Sequence, residues 1–213
     1  MIRENYTHIK EETGDDATII AVTKYHTVEE TLEAYDAGIR DFGENRPEGF
    51  LEKRKALPED AAVHFIGTLQ SRKVKLVAGD LYYLHSLDRE SVAKKIEQYS
   101  DHTVKCFIQV NVSGEDSKHG LAPEDVPAFL DVLRNYTKIE VIGLMTMAPN
   151  TEDRPLIHDV FKRLSELKGK LSEKNGGNIQ ICELSMGMSN DYDIALQYGA
   201  TFVRIGSKIM GSR

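Results

Sequence analysis

Eight short apolar runs alternate with amphipathic stretches along this chain, with few residues between them, and that alternation restricts the fold more than any single motif does. The runs lie at 18–22, 39–43, 63–67, 81–85, 104–112, 140–147, 179–186 and 202–205. Their length and their β-branched and aromatic content predict strands. Amphipathic stretches at 28–37, 47–57, 89–99, 124–135, 155–173 and 191–198 predict helices. Several carry end signals: Thr27 stands before Glu29 and Glu30, Asp88 before Glu90, Pro123 and Pro155 suit first turns, and Gly38 and Gly199 suit C-terminal caps. Both faces of Thr18-Ile19-Ile20-Ala21-Val22 are mostly apolar, which places that strand in a parallel sheet covered by helices. Eight such units predict an α/β chain closed into a (β/α)8 barrel of TIM type, a single domain over 1–213 with an additional N-terminal helix.

The competing architecture is an open doubly wound sheet. A dinucleotide-binding version would need a glycine-rich turn after a strand, and the chain has neither GxGxxG nor GxxxxGK[ST]. With 213 residues, 40% hydrophobic and 29% charged, one domain with a sizeable core is expected. A formal net charge of -7 argues against a nucleic-acid surface, which needs a basic field. The basic clusters Lys53-Arg54-Lys55 and Arg72-Lys73-Val74-Lys75 are expected on solvated helix faces. Cys106 and Cys182 each sit in an apolar run and are expected as buried small hydrophobes, with no CxxC pair or metal-ligand spacing. No apolar stretch reaches bilayer length and Met1-Ile2-Arg3-Glu4-Asn5-Tyr6 lacks a secretory core, so a cytoplasmic protein is expected.

Barrel proteins gather function on the loops after their strands, often holding phosphate beyond strands seven and eight. Here those loops read Ser185-Met186-Gly187-Met188-Ser189-Asn190-Asp191 and Arg204-Ile205-Gly206-Ser207. Gly187 and Gly206 let backbone approach an anion, and Ser185, Ser189 and Ser207 can donate hydroxyls; ordinary turn and capping chemistry would use the same residues. Arg204 shares parity with Phe202 and Gly206, so an inward guanidinium must be paired, with Glu183 for instance, or liganded. Lys24 ends the first apolar run. An amine in a partly desolvated barrel mouth loses affinity for its proton and can attack an aldehyde. An aldehyde together with a phosphate suggests pyridoxal 5'-phosphate.

Six segments, in order along nearly the whole chain, carry a resemblance. They are Ala21-Val22-Thr23-Lys24, Phe42-Gly43-Glu44-Asn45, His64-Phe65-Ile66-Gly67-Thr68-Leu69-Gln70-Ser71, Gly143-Leu144-Met145-Thr146-Met147-Ala148, Ser185-Met186-Gly187-Met188-Ser189 and Arg204-Ile205-Gly206-Ser207. Together they resemble the pyridoxal phosphate homeostasis protein family, single-domain barrels similar to the N-terminal domain of alanine racemase that bind the cofactor without an established turnover. The resemblance implies that Lys24 forms the aldimine, that Arg204 partners the pyridine nitrogen and that Ser185, Gly206 and Ser207 bind the phosphate. It further implies that Asn45 lines the pocket and that Lys118 is a second lysine on a nearby loop. Thr68, Arg72 and Arg46-Pro47-Glu48 depart from the family pattern.

An arginine partner donates to the pyridine nitrogen without protonating it, which makes the ring a poor electron sink. Turnover then depends on an opposed acid or base, for which Tyr25, His26, His85 and Lys118 are the candidates, while His64 and His158 read as structural. The expectation is a monomeric, non-catalytic binder that contributes to vitamin B6 homeostasis, with apo pyridoxal-phosphate enzymes as possible recipients. The alternatives are an amino-acid racemase or lyase of the same cofactor and a Schiff-base aldolase.

Overall fold

The computed structural model of the chain describes residues 1–116 and 119–212. Eight strands follow in order: β1 Thr18–Val22, β2 Asp41–Glu44, β3 Ala62–Phe65, β4 Tyr83–Leu87, β5 Val104–Gln109, β6 Ile139–Met145, β7 Ile179–Met188 and β8 Phe202–Ile205. Every neighbouring pair is parallel, and β8 returns to β1 with Ile20 opposite Arg204, so the sheet closes into the expected barrel. The α-helices among the described residues are α1 Ile2–Thr13, α2 Val28–Asp36, α3 Pro47–Ala56, α4 Val74–Val77, α5 Glu90–Tyr99, α6 Val126–Leu133, α7 Arg154–Leu171, α8 Tyr192–Gln197 and α9 Ser207–Met210. The additional N-terminal helix is α1, and it rests against α9, where Asn5 Nδ2 donates to the Ile209 carbonyl at 3.1 Å.

The main apolar core lies between sheet and helices, as strands buried on both faces require. Phe42, Phe50 and Phe65 are fully buried in it. The barrel interior is different. Phe202 of β8 contacts Phe107 of β5, His85 of β4 and His64 of β3, with ring centroids 5.3, 6.0 and 6.0 Å away. Two histidines therefore occupy a place that branched aliphatic side chains usually fill.

The end signals act locally. Thr27 and Glu30 form a reciprocal capping box at the start of α2, with Thr27 N donating to Glu30 Oε2 at 2.8 Å and Glu30 N to Thr27 Oγ1 at 3.2 Å. Asp88 does not cap α5. Its carboxylate accepts from Arg89 Nε at 2.9 Å and Gly120 N at 3.1 Å, tying two loops of the rim together. Three other expectations change. Lys53 is buried, 3.9 Å from Glu44 and 3.1 Å from Glu52, because the face of α3 that carries it turns inward. Cys182 is exposed, in the first half of β7 where Gln180 is exposed too and before burial becomes continuous from Leu184, whereas burial holds the Cys106 thiol well above its ordinary pKa. The segment at 72–75 is helical as expected, yet Val74 within it is fully buried.

Candidate functional site

The carboxyl ends of β1, β7 and β8 enclose a cavity of about 220 Å³, lined by Val22, Lys24, Ser189, Asp191, Arg204 and Gly206 and walled by the segment after β6. Lys24 stands two residues beyond β1 and its side chain is exposed, so the desolvation expected of the amine is absent here. Its loop is tightly anchored. Thr23, fully buried, donates from N to the Gly43 carbonyl at 3.0 Å and from Oγ1 to Glu44 Oε1 at 2.7 Å. Tyr25 has φ 71°, the one non-glycine residue with positive φ among those described, and its ring lies 5.7 Å from Lys24 Nζ. A bulky residue held there is strained and persists where surrounding contacts over-determine it. The amine is thus presented from a constrained turn.

Arg204 is buried at the floor of the cavity. Nη1 donates to Ser185 Oγ at 2.6 Å and Nη2 to the Thr146 carbonyl at 3.1 Å. Burial pushes its pKa down to about 10, with Asp191 opposing the shift, so it remains a cation at neutral pH. Among the described residues it has no carboxylate partner in hydrogen-bond contact. Glu183 lies instead at the opposite, amino-terminal end of the barrel, beside Asp41 and Phe202. Asp191 carries the counter-charge nearest in effect: burial raises its pKa, while the Met188 N–H at 2.7 Å and the Arg204 charge favour its ionised form.

The serines divide. Ser189 lines the cavity and its Oγ accepts from Gly206 N at 3.2 Å, linking the β7 and β8 loops. Gly206 precedes α9 and Ser207 opens it, exposed beside the cavity. Ser185 is fully buried below, hydrogen-bonded to Arg204 and, at 2.7 Å, to His85 Nδ1, and it does not line the cavity. It was expected as a phosphate-binding hydroxyl in the loop after the seventh strand, but it lies within β7, at the floor instead of the rim. Gly187, with φ 99°, brings the β7 loop so close to α8 that an added Cβ would lie 2.7 Å from Ala195 Cβ.

The remaining candidates fall elsewhere. Asn45, half-buried, lines a neighbouring cleft of about 490 Å³ on the same rim, with Arg46, Gln70, Lys73 and His119. Lys118 lies outside the described residues. His85 is inside the barrel and not at its mouth, and burial together with His64 and Arg204 lowers its pKa well below the ordinary imidazole value. His26 sits 3.4 Å from the Glu30 carboxylate. Thr146, whose carbonyl holds Arg204, was visible only as part of a motif; no sequence signal marks a backbone acceptor. Taken together, the cavity offers an amine, a guanidinium that donates and cannot readily deliver its proton, a hydroxyl and a glycine backbone. That donor set fits a small anionic aldehyde with a ring acceptor.

The family described as alanine racemase, N-terminal domain, matches residues 1–213. The chain is 37% identical to the pyridoxal phosphate homeostasis protein of Aquifex aeolicus, covering 92% of this chain and 87% of that one. It is 38% identical to the protein of the same name from Schizosaccharomyces pombe, covering 94% and 86%. Among solved structures, PipY of Synechococcus elongatus PCC7942 with PLP bound superposes with a TM-score of 0.89 at 28% identity, covering 99% of this chain and all of that one.

Proposed function

Because the chain belongs to the alanine racemase N-terminal domain family, and within it to the pyridoxal phosphate homeostasis proteins, we propose that it binds pyridoxal 5'-phosphate in the cavity between β1, β7 and β8 and contributes to vitamin B6 homeostasis. The observation that carries this reading is that Lys24 and Arg204 line one cavity, contributed by β8 and by the segment just after its neighbour β1. When bound, the cofactor supplies an aldehyde and an electron-accepting ring. Lys24 offers the amine that attaches it covalently. Arg204, held by Ser185 and the Thr146 carbonyl, offers a donor to the ring nitrogen and keeps its own proton. Ser189, Gly206 and Ser207 hold the phosphate, so the role expected of Ser185 passes to Ser189. Asn45 borders the adjoining cleft and acts at the margin of the pocket.

The same proposal makes the chain a cytoplasmic, monomeric binder without turnover, with apo pyridoxal-phosphate enzymes as recipients. Its physical basis is the guanidinium partner, which stabilises a substrate carbanion poorly, and the placement of His85 below the floor instead of opposite Lys24. Among the described residues no helix is long and apolar enough to cross a membrane.

Borohydride reduction of the cofactor-loaded protein, followed by peptide mass spectrometry, tests the assignment. Pyridoxyl label is expected on Lys24 and absent in Lys24→Ala. Label at another lysine in the wild type overturns it. Incubation with amino acids in heavy water is expected to give no exchange of the α proton, and rapid exchange would assign a racemase instead.

A further inference from the structure

A line of polar side chains runs through the interior of the barrel, and the proposed site uses only its upper end. Asp41 opens β2 at the amino-terminal end, where it borders a polar cavity of about 550 Å³ together with Lys10, Arg40 and Glu183. Its Oδ1 lies 2.8 Å from His64 Nε2. His64 Nδ1 lies 2.9 Å from His85 Nε2, and His85 Nδ1 lies 2.7 Å from Ser185 Oγ, which accepts from Arg204 Nη1 at 2.6 Å. Both histidines and Ser185 are wholly buried. Four different strands contribute the line and a fifth completes it, so it is a feature of the closed barrel and of no single element.

The two ends dictate the direction of every hydrogen bond between them. A guanidinium only donates and an ionised carboxylate only accepts. Asp41 therefore accepts from His64 Nε2–H, and with one proton on each imidazole His64 is left with a bare Nδ1. That nitrogen must accept from His85 Nε2–H, so neutral His85 has a bare Nδ1, which accepts from Ser185 Oγ–H. Ser185 is left with its lone pairs turned to Arg204. Each imidazole carries one proton and each bond has one donor. The outcome is an unbroken series of aligned dipoles with a cation at one end and an anion at the other, in a medium of low dielectric where such alignment is strong.

We propose that Asp41, His64, His85 and Ser185 are positioning residues for Arg204: an oriented hydrogen-bond line that locks the guanidinium in its cofactor-facing pose and makes cofactor retention sensitive to the charge at the amino-terminal mouth of the barrel. The cofactor part of this inference rests on the assignment of Arg204 as partner of the ring nitrogen; the orientation of the line does not. The line balances a buried cation that has no carboxylate in contact among the described residues, which explains two buried histidines where a barrel needs only apolar filling.

Ring nitrogen–proton correlation spectra of the 15N-labelled, cofactor-free protein test the orientation directly. His64 and His85 are both expected as the Nε2–H tautomer at neutral pH; the Nδ1–H tautomer at either overturns the line. The second arm is a double-mutant cycle on cofactor retention and on the position of the bound-cofactor absorption band. Asp41→Asn is nearly isosteric, sits at a half-buried position and removes only the charge. It is expected to weaken retention about threefold or more and to shift the band. In the Ser185→Ala background, where the line is cut, the same substitution is expected to change neither. An equal effect of Asp41→Asn in both backgrounds, or no effect in either, refutes the coupling. If the wild type fails to take up pyridoxal phosphate at all, the site assignment falls, while the histidine tautomers still report on the line.

Discussion

Arg204 shows how a single residue can be legible in sequence while its support is not. Parity with Phe202 and Gly206 was enough to turn it inward, and the last strand of a barrel was enough to bring it beside Lys24. The partners that make its burial tolerable come from β7 and from the backbone after β6, and His85 joins them across 100 residues of sequence. His85 has a consequence of its own for stability. Its folded-state pKa is depressed by burial, with like charge from His64 and Arg204 adding to the effect. The unfolded chain takes up a proton near the ordinary imidazole value of about 6.5, and the folded one does not. The contribution is therefore complete above that pH and is lost as pH falls below it, at up to about 1.4 kcal/mol per pH unit for one proton. Urea unfolding between about pH 7.5 and pH 5 is expected to show that slope, reduced by one proton in His85→Gln. At the same scale, Ser185 and Ser189 are indistinguishable as residue types and share strand parity; only the bend at Gly187 and the end of β7 at Met188 separate the floor from the rim.

Elements were easiest to locate where burial and pairing coincide. β1 and β8 have the expected bounds, but β2 and β4 begin two residues later than the apolar runs at 39 and 81. Ile39 and Leu81 are fully buried in the turns that lead into those strands without joining the ladder, so hydrophobicity overstated where pairing starts. α4 and the 3-10 turn before it are too short to show an amphipathic stripe, and only the basic cluster at 72–75 marked them as helical. Gly143 in β6 carries the sharpest element-level prediction. A Cβ there would lie 2.1 Å from the Glu183 carbonyl oxygen, at the point where the register of β6 against β7 shifts. Backbone cannot yield as a flexible side chain would. Gly143→Ala is expected to cost roughly 1–3 kcal/mol or more, read from the urea midpoint, and to loosen Ser185 two residues along β7, read as faster loss of bound cofactor.

Across the whole molecule, α1 and α9 connect the start of the chain with the loop proposed to hold phosphate. Ile2 and Ile9 are buried, Asn5 reaches the Ile209 carbonyl, and the Tyr192 hydroxyl meets Glu12. Removing α1 is expected to lower the thermal midpoint and to weaken cofactor retention through α9 and Ser207, while borohydride still places any label on Lys24; calorimetry and dialysis measure the two effects. The barrel as an architecture was written in the eightfold alternation, since parallel strands with helical crossovers leave few other closures. Its chemistry was less open to inspection, because the interior is assembled from single side chains contributed by strands far apart in sequence.

The seam between β1 and β8 sets a clock. Synthesis delivers the amine of Lys24 long before the guanidinium of Arg204, so a fragment that ends before β8 carries only one half of the proposed grip. On the proposed reading, a fragment that stops short of β8 is therefore expected to lose pyridoxal phosphate on dialysis faster than the closed barrel does.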